Sequence, residues 1–280
     1  MSAPVWTCPS CATAVVSHFC PSCGERSPDE RELTLHGLAS QIFQSLTSID
    51  GKLLRSFMLL MSRPGDLTVA YLEGQRKPFI GPVPLYLMAN VLFFATESLL
   101  GGAVLSTTLA NHLSRQPWSV WAPTLVAHRV NALGTTLDAY APLFDRALTL
   151  HARSWIILMA LAFAVFPWLA FHGRKKPFAA HAVFSLHLYS FLLVLMSVAD
   201  IVPALDHSDG QVFVWRVVDN AVSVLLLVAC GIYVYIATEK VYAARGVTRI
   251  AKVVVLTVGM GAIVLAYRFA LFALTLYTAA

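Results

Sequence analysis

The stretch Arg63-Pro64-Gly65-Asp66, with Tyr71-Leu72-Glu73-Gly74-Gln75-Arg76-Lys77-Pro78-Phe79 close behind it, divides the chain into two parts of opposite character. Four of the five cysteines and many of the charged residues precede it, and the chain beyond it is largely apolar. Arg63, Arg76 and Lys77 set basic charge just ahead of the first long hydrophobic run, where a cytoplasmic membrane anchor belongs. Pro78, Pro82 and Pro84 have no N–H to donate, so they bend the chain at a bilayer surface and then start a helix. Arg63, Pro64, Gly65, Tyr71, Gly74, Arg76 and Lys77 thus read in one of two ways: a plain juxtamembrane connector, or a dedicated docking or lipid-contacting loop.

Composition decides the class. Of 280 residues, 58% are hydrophobic and 12% charged, about half the charged share of a soluble domain. The apolar runs exceed the roughly 18 residues that separate a spanning helix from a buried core helix. The chain therefore reads as an all-α polytopic membrane protein. The net charge of +5 lies mostly in short segments beside hydrophobic runs, where it sets topology and meets anionic headgroups. A nucleic-acid partner is not expected. Neither is a signal peptide, because Met1 to Leu33 holds no continuous apolar core.

Downstream of the dividing stretch, about five transmembrane helices are expected in residues 82–280, at 82–106, 154–172, 181–204, 212–237 and 252–277. The connections through Arg174-Lys175-Lys176 and from Lys240 to Lys252 are basic, whereas the one around Asp206-His207-Ser208-Asp209 has no Lys or Arg. The positive-inside rule then puts the amino terminus in the cytoplasm and the carboxyl terminus outside. The long connection 107–153 would be external, with a short surface helix over Leu143 to Leu150. Its Arg115, Arg129, Arg146 and Arg153 depart from the rule mildly, as long loops allow.

Upstream, residues 1–24 carry Cys8-Pro9-Ser10-Cys11 and Cys20-Pro21-Ser22-Cys23-Gly24. Two Cys-x-x-Cys turns present four thiolates from two knuckles, which is what a tetrahedral structural Zn2+ site needs. Gly24 permits the tight turn after the last ligand. A disulfide pair would need an oxidising compartment, and a thioredoxin-like centre would need a βαβ context that is absent. His18 could replace a cysteine, though four sulfurs make it unnecessary. Such a set leaves no open coordination position, so the zinc would be structural rather than catalytic. Residues 25–81 then read as a cytoplasmic linker with amphipathic and juxtamembrane helices: Leu35, Leu38, Ile42, Phe43 and Leu46 in one segment, Leu53 to Met61 in another. These pieces lie on the cytoplasmic leaflet or form a partner-binding face.

Ionisable groups inside a bilayer are functional candidates by default. Tyr86, Asn90 and Glu97 share a face of the first span. His187, Ser190, Ser197 and Asp200 do so in the third, Arg216, Asp219, Ser223 and Cys230 in the fourth, and Arg268 lies with Gly261 and Leu265 in the fifth. With alternating helix directions, Glu97, Asp200, Arg216, Asp219 and Arg268 all fall in the outer half. They read either as an outward-facing polar cluster for an ion, proton or anionic solute, or as ion pairs that fix packing. Ala262, Ala266 and Ala270 suggest a helix-contact seam, His172 and His181 interfacial residues, and Cys230 plain packing. No nucleophile elbow, P-loop, zinc-protease helix or dinucleotide fingerprint is present, so an enzyme is not expected.

The order of paired Cys-Pro-Ser-Cys knuckles, polar linker, amphipathic segment, Arg63-Pro64-Gly65, Tyr71-Leu72-Glu73-Gly74-Gln75-Arg76 and Pro82 resembles one bacterial family, the zinc-ribbon membrane proteins grouped as domain of unknown function 3667. The likeness covers about residues 8–92, with Ala12 in place of a Gly in the first knuckle and Gln75 where Lys is common. It implies the architecture and the bacterial inner (cytoplasmic) membrane, and it supplies no activity. The expected function is a non-enzymatic adaptor or regulatory protein, with a cytoplasmic protein partner for the ribbon and the lipid bilayer around the helices. The alternative is a small transporter or channel that uses the polar cluster.

Overall fold

In the computed structural model the residues described are 6–25, 27, 51–100, 107–201 and 212–279, without the side chains of 212–220. The expected amphipathic segment Leu35–Leu46 and the Asp206–Asp209 connection lie outside them. Two short strands, β1 (Trp6–Thr7) and β2 (Ala14–Val15), pair antiparallel, Trp6 opposite Val15 and Thr7 opposite Ala14. Helices follow: α1 (Lys52–Ser62), α2 (Asp66–Leu72), α3 (Pro82–Leu100), α4 (Leu109–Ser114), α5 (Ala122–Ala132), α6 (Leu137–Trp155), α7 (Ile157–Phe163) and α8 (Val165–Ala170). After a 3-10 turn at His172–Arg174 come α9 (Phe178–Ala199), α10 (Val212–Tyr242) and α11 (Val247–Thr278). Among the described residues, α3, α9, α10 and α11 are long and apolar enough to cross a membrane. A fifth span results if α6 and the Ile157–Ala170 segment, bent by 50°, count as one.

Helix α9 is the axis of the bundle because it is apolar on every side. Its spanning window is 78% buried, against 39% for α3, 28% for α10 and 22% for α11. It runs along α3 and also touches α1, α2, α7, α8 and α10. Ala179, Ala180, Ala182 and Ser185 are buried on it, and such small side chains let neighbouring backbones approach. The outer helices turn Val224, Leu225, Val228, Ile232, Val254, Val255 and Val258 outward. Soluble monomers rarely expose an apolar face of this kind, and it is compatible with a multi-pass membrane protein. Ala262, Ala266 and Ala270 are exposed among the described residues, so the expected seam is not buried there. The close approach on α11 falls instead at Gly259, where a Cβ would stand 2.6 Å from the Phe166 ring.

The span expected over 154–172 is met by a bent pair, α6 and the Ile157–Ala170 segment, which meet at 50°. Chain that leaves the helical path inside an apolar bundle must still satisfy its carbonyls. Two tyrosines do this. Tyr86 Oη donates to the Ile156 carbonyl at 2.9 Å, and Tyr267 Oη to the Ala152 carbonyl at 2.6 Å. The connection 107–153 also differs from expectation. In place of one short surface helix it holds α4, α5 and most of α6, and α6 runs on into the bend. Leu109, Trp118, Ala122, Val126, Tyr140, Phe144 and Leu148 form a separate core against Phe272 and Leu276 at the end of α11. Asp145 accepts from the first N–H of α4 at 2.7 Å, and Arg129 donates to the Tyr277 carbonyl at 3.2 Å. Arg129 thus meets the negative end of the α11 dipole.

The dividing stretch, expected as a plain connector or a docking or lipid-contacting loop, carries the helix α2. Helix α2 is inserted against α9 and α10, with Leu67, Thr68, Ala70 and Tyr71 buried. Thr68 Oγ1 and His187 Nδ1 are hydrogen-bonded at 2.8 Å. Asp66 pairs with Lys240 at 2.5 Å. Gly65 is what makes the insertion possible. Its φ is 87°, and a Cβ there would lie 2.8 Å from the Ala237 Cα. Gly65→Ala should cost about 1–2 kcal/mol for the left-handed backbone plus about 1–3 kcal/mol for the overlap. Gly134→Ala, at φ 64° in open space, should cost the backbone term alone. Thermal unfolding of the detergent-solubilised protein checks the pair, and equal losses would refute the close-approach account.

Candidate metal centre and its attachment to the bundle

Each knuckle is built by the same local hydrogen bonds. In the first, the Cys8 N–H reaches the Thr13 carbonyl and the Ala12 N–H reaches the Cys8 carbonyl, at 2.9 and 2.8 Å. In the second, Cys20 and Glu25 and then Gly24 and Cys20 repeat the pattern at 2.7 and 2.8 Å. The residue after the second cysteine of each knuckle is left-handed: Ala12 at φ 59° and Gly24 at φ 71°. Glycine takes that conformation freely and alanine does not.

These turns bring Cys8, Cys11, Cys20 and Cys23 together with their sulfurs all within 4.8 Å of one another. Cys8 and Cys23 stand 3.5 Å apart, as do Cys11 and Cys20. Sulfurs bound at about 2.3 Å on the corners of a tetrahedron would be about 3.8 Å apart. The set therefore fits one metal ion, and all four thiols are free. Proton affinity is unevenly divided among them. The Thr13 hydroxyl, then the Thr13 backbone, pulls Cys11 down to about 6. A backbone hydrogen bond at Glu25 favours the Cys23 thiolate, yet desolvation and the three neighbouring sulfurs push it up to about 12. Four thiolates this close need a cation to coexist, and binding one would release protons. His18 is exposed on the loop between the knuckles. Around the sulfurs the core is only Val15 with Trp6 beside it, so metal binding would supply much of the ribbon's folding free energy.

The ribbon is fastened to the bundle through Glu25, a residue the sequence did not single out. Glu25 is 2% exposed. Its Oε2 accepts from Ser10 Oγ at 2.6 Å, from the Lys77 N–H at 3.0 Å and from the Arg76 N–H at 3.1 Å. Those amides are available because α2 ends in a Schellman turn. Gly74, at φ 87°, donates to the Tyr71 carbonyl and Gln75 to the Ala70 carbonyl, at 3.1 and 2.9 Å. Beyond the turn, the Arg76 guanidinium sits 5.4 Å from the centre of the buried Tyr71 ring. The Ile80 N–H reaches Ser56 Oγ of α1 at 2.9 Å. The Tyr71, Gly74 and Arg76 pattern is thus the end of an inserted helix plus the loop that receives the ribbon.

The described intramembrane candidates fall into separate groups. Ser190 and Ser197 donate to carbonyls of their own helix, and His187 is engaged by Thr68. His181 is not an exposed interfacial residue. It is 1% exposed and bonded to Tyr242 Oη at 2.9 Å. His172 is exposed and Cys230 buried. Glu97, Asp200 and Arg268 do come together electrostatically, Glu97 acting on both others. Glu97 and Asp200 are each 4% exposed, so they are not an open vestibule. The Arg216 and Asp219 side chains lie outside the described residues.

Fold and site together define a helical, membrane-type bundle that carries a four-cysteine ribbon at its amino end. Residues 50–94, which span α1, α2 and most of α3, match the model of the family described as "Protein of unknown function (DUF3667)". The chain carries the segment of that family, the one its motifs resemble. No curated protein and no solved structure matches it.

Two changes test the attachment. Glu25→Ala should speed hydrogen exchange at the Arg76 and Lys77 amides while bound metal is retained, and unchanged exchange would refute the latch. Ala12→Gly should stabilise the ribbon by about 1 kcal/mol, read as tighter retention of metal against a competing chelator.

Proposed function

We propose that this protein is a non-enzymatic adaptor or regulatory protein of the bacterial inner membrane, whose zinc-loaded ribbon presents a fixed surface to a cytoplasmic protein partner. The observation that carries the reading is the Glu25 latch, which holds the ribbon on the bundle instead of leaving it on a loose tether. On the loop between the knuckles, Val16 and Phe19 are 68% and 60% exposed. Zinc is the metal that suits four thiolates in a small tetrahedral set, and a full set of protein ligands leaves no position for catalysis.

The cytoplasmic assignment draws support from charge. Lys240 pairs with Asp66 of the ribbon-bearing end, and Arg174 donates to the Ala243 carbonyl at 3.1 Å, so both basic connections share that end. The positive-inside rule puts such an end in the cytoplasm. The amino terminus is then inside and the carboxyl terminus outside.

The test is affinity purification from native membranes in a mild detergent, with zinc and co-purifying proteins quantified together. The wild type should bring down a stoichiometric partner. Val16→Asp with Phe19→Asp should lose it and keep the zinc, and Cys20→Ser should lose both. A partner retained by either variant would overturn the reading.

A further inference from the structure

Independently of the ribbon, two buried carboxyl groups lie at the end of the bundle away from it. Glu97 ends its span on α3, and Asp200 follows the last residue of α9. Both are buried. Asp200 Oδ2 has no hydrogen-bond partner among the described residues. Glu97 lies in the field of Arg268, and Asp200 lies in the field of Glu97.

Among the described residues few other groups face this pair; from α6 comes Arg153, exposed and 5.6 Å from the centre of the Phe94 ring, one turn before Glu97. From α11 come Arg268 and Tyr267, and the Tyr267 hydroxyl is already given to the Ala152 carbonyl. From α4 comes His112, 1% exposed, which accepts from Trp118 Nε1 through Nδ1 at 3.2 Å. Burial, and then the Arg268 charge, hold His112 down to about 4, so it is neutral and adds no cation. Arg216 and Asp219 of α10 bring one charge of each sign to this end of the helix, their side chains outside the described residues. Among the described side chains, two buried carboxyl groups thus stand with the Arg268 guanidinium.

A buried carboxylate with an unpaired oxygen beside a second carboxylate is strongly disfavoured, and neutralising one of the two removes the conflict. Arg268 compensates Glu97, which leaves Asp200 to be neutralised. We propose that Asp200 is a proton-binding site at the end of the bundle away from the ribbon. A proton is the ligand that needs no cavity. On release, the O–H bond of Asp200 breaks, its electron pair stays on the carboxylate, and the proton passes to water. Uptake reverses the step. An ionisable pair of this kind in a membrane-type bundle is suited to proton exchange with the outer compartment.

The test uses the full-length protein in phospholipid vesicles and pH-titrated infrared difference spectroscopy. The wild type should show a carboxylic-acid band near neutral pH that Asp200→Asn abolishes. Glu97→Gln should move its midpoint to lower pH and Arg268→Gln to higher pH, each by about one unit or more. If Asp200→Asn fails to fold, the opposite shifts in the other two variants decide the matter alone. Absence of an Asp200-dependent band, or midpoints unmoved in Glu97→Gln and Arg268→Gln, would overturn the site. So would a band removed by sodium or potassium at constant pH, because the ligand would then be a metal cation.

Discussion

A backbone amide or carbonyl held away from water must find a partner within the protein, and this constraint explains most of the chain's irregular features. Regular helices satisfy it internally. The informative places are where the chain leaves the helix inside or beside the bundle. At the 50° bend between α6 and α7, the hydroxyls of Tyr86 and Tyr267 take up carbonyls. In the return from α2 to α3, Ser56 receives the Ile80 N–H, and Glu25 receives those of Arg76 and Lys77. Each of these departures from regular structure is paired with a polar side chain brought from elsewhere in the sequence. Because those side chains come from distant elements, the partners also set how the elements sit together.

Glu25 illustrates how one such pairing joins two parts of the molecule. Its own carbonyl accepts from the N–H of Cys20, one of the four cysteines that could hold a metal, and its carboxylate accepts from the loop after α2. The cysteine cluster and the inserted helix are therefore separated by one residue and its hydrogen bonds. Arrangement of the sulfurs bears on the position of Glu25, and Glu25 bears on Arg76 and Lys77. The other end of the same loop rests on α1 through Ser56, so the ribbon, α1 and α2 meet at a single return of chain. At the opposite end of the bundle the cap made by α4, α5 and α6 packs on the last turns of α11.

Charge is handled by pairing at both ends. Arg249 is 7% exposed, lies 3.7 Å from the centre of the Tyr235 ring and meets Glu239 at 2.8 Å. It ties the α10 to α11 turn instead of facing headgroups. Arg129 and Arg153, which look misplaced on an external connection, meet the end of α11 and the ring of Phe94. A basic residue counted only by its position along the chain can therefore be a structural contact.

The apolar runs were legible in the sequence because an uninterrupted hydrophobic stretch leaves a helix few alternatives near lipid. The four sulfurs were legible too, because Cys-x-x-Cys spacing is a property of one short turn and needs no distant contact. So were the glycines and prolines of the dividing stretch as places where the chain turns, although the meaning of those turns was not. Insertion of α2 depends on Thr68 meeting His187, 119 positions later, and on Gly65 meeting Ala237. The bend at Ile156 depends on tyrosines from two other helices. Glu25 reads locally as one more charge in a polar linker. By itself the sequence determined where the long apolar helices run and where a metal could be held, since both follow from near-neighbour spacing and hydrophobicity. Only the tertiary structure decided that α9 lies at the centre, that α2 is inserted and that the ribbon is docked. Those outcomes rest on packing and hydrogen bonds between residues whose separation along the chain carries no local signal.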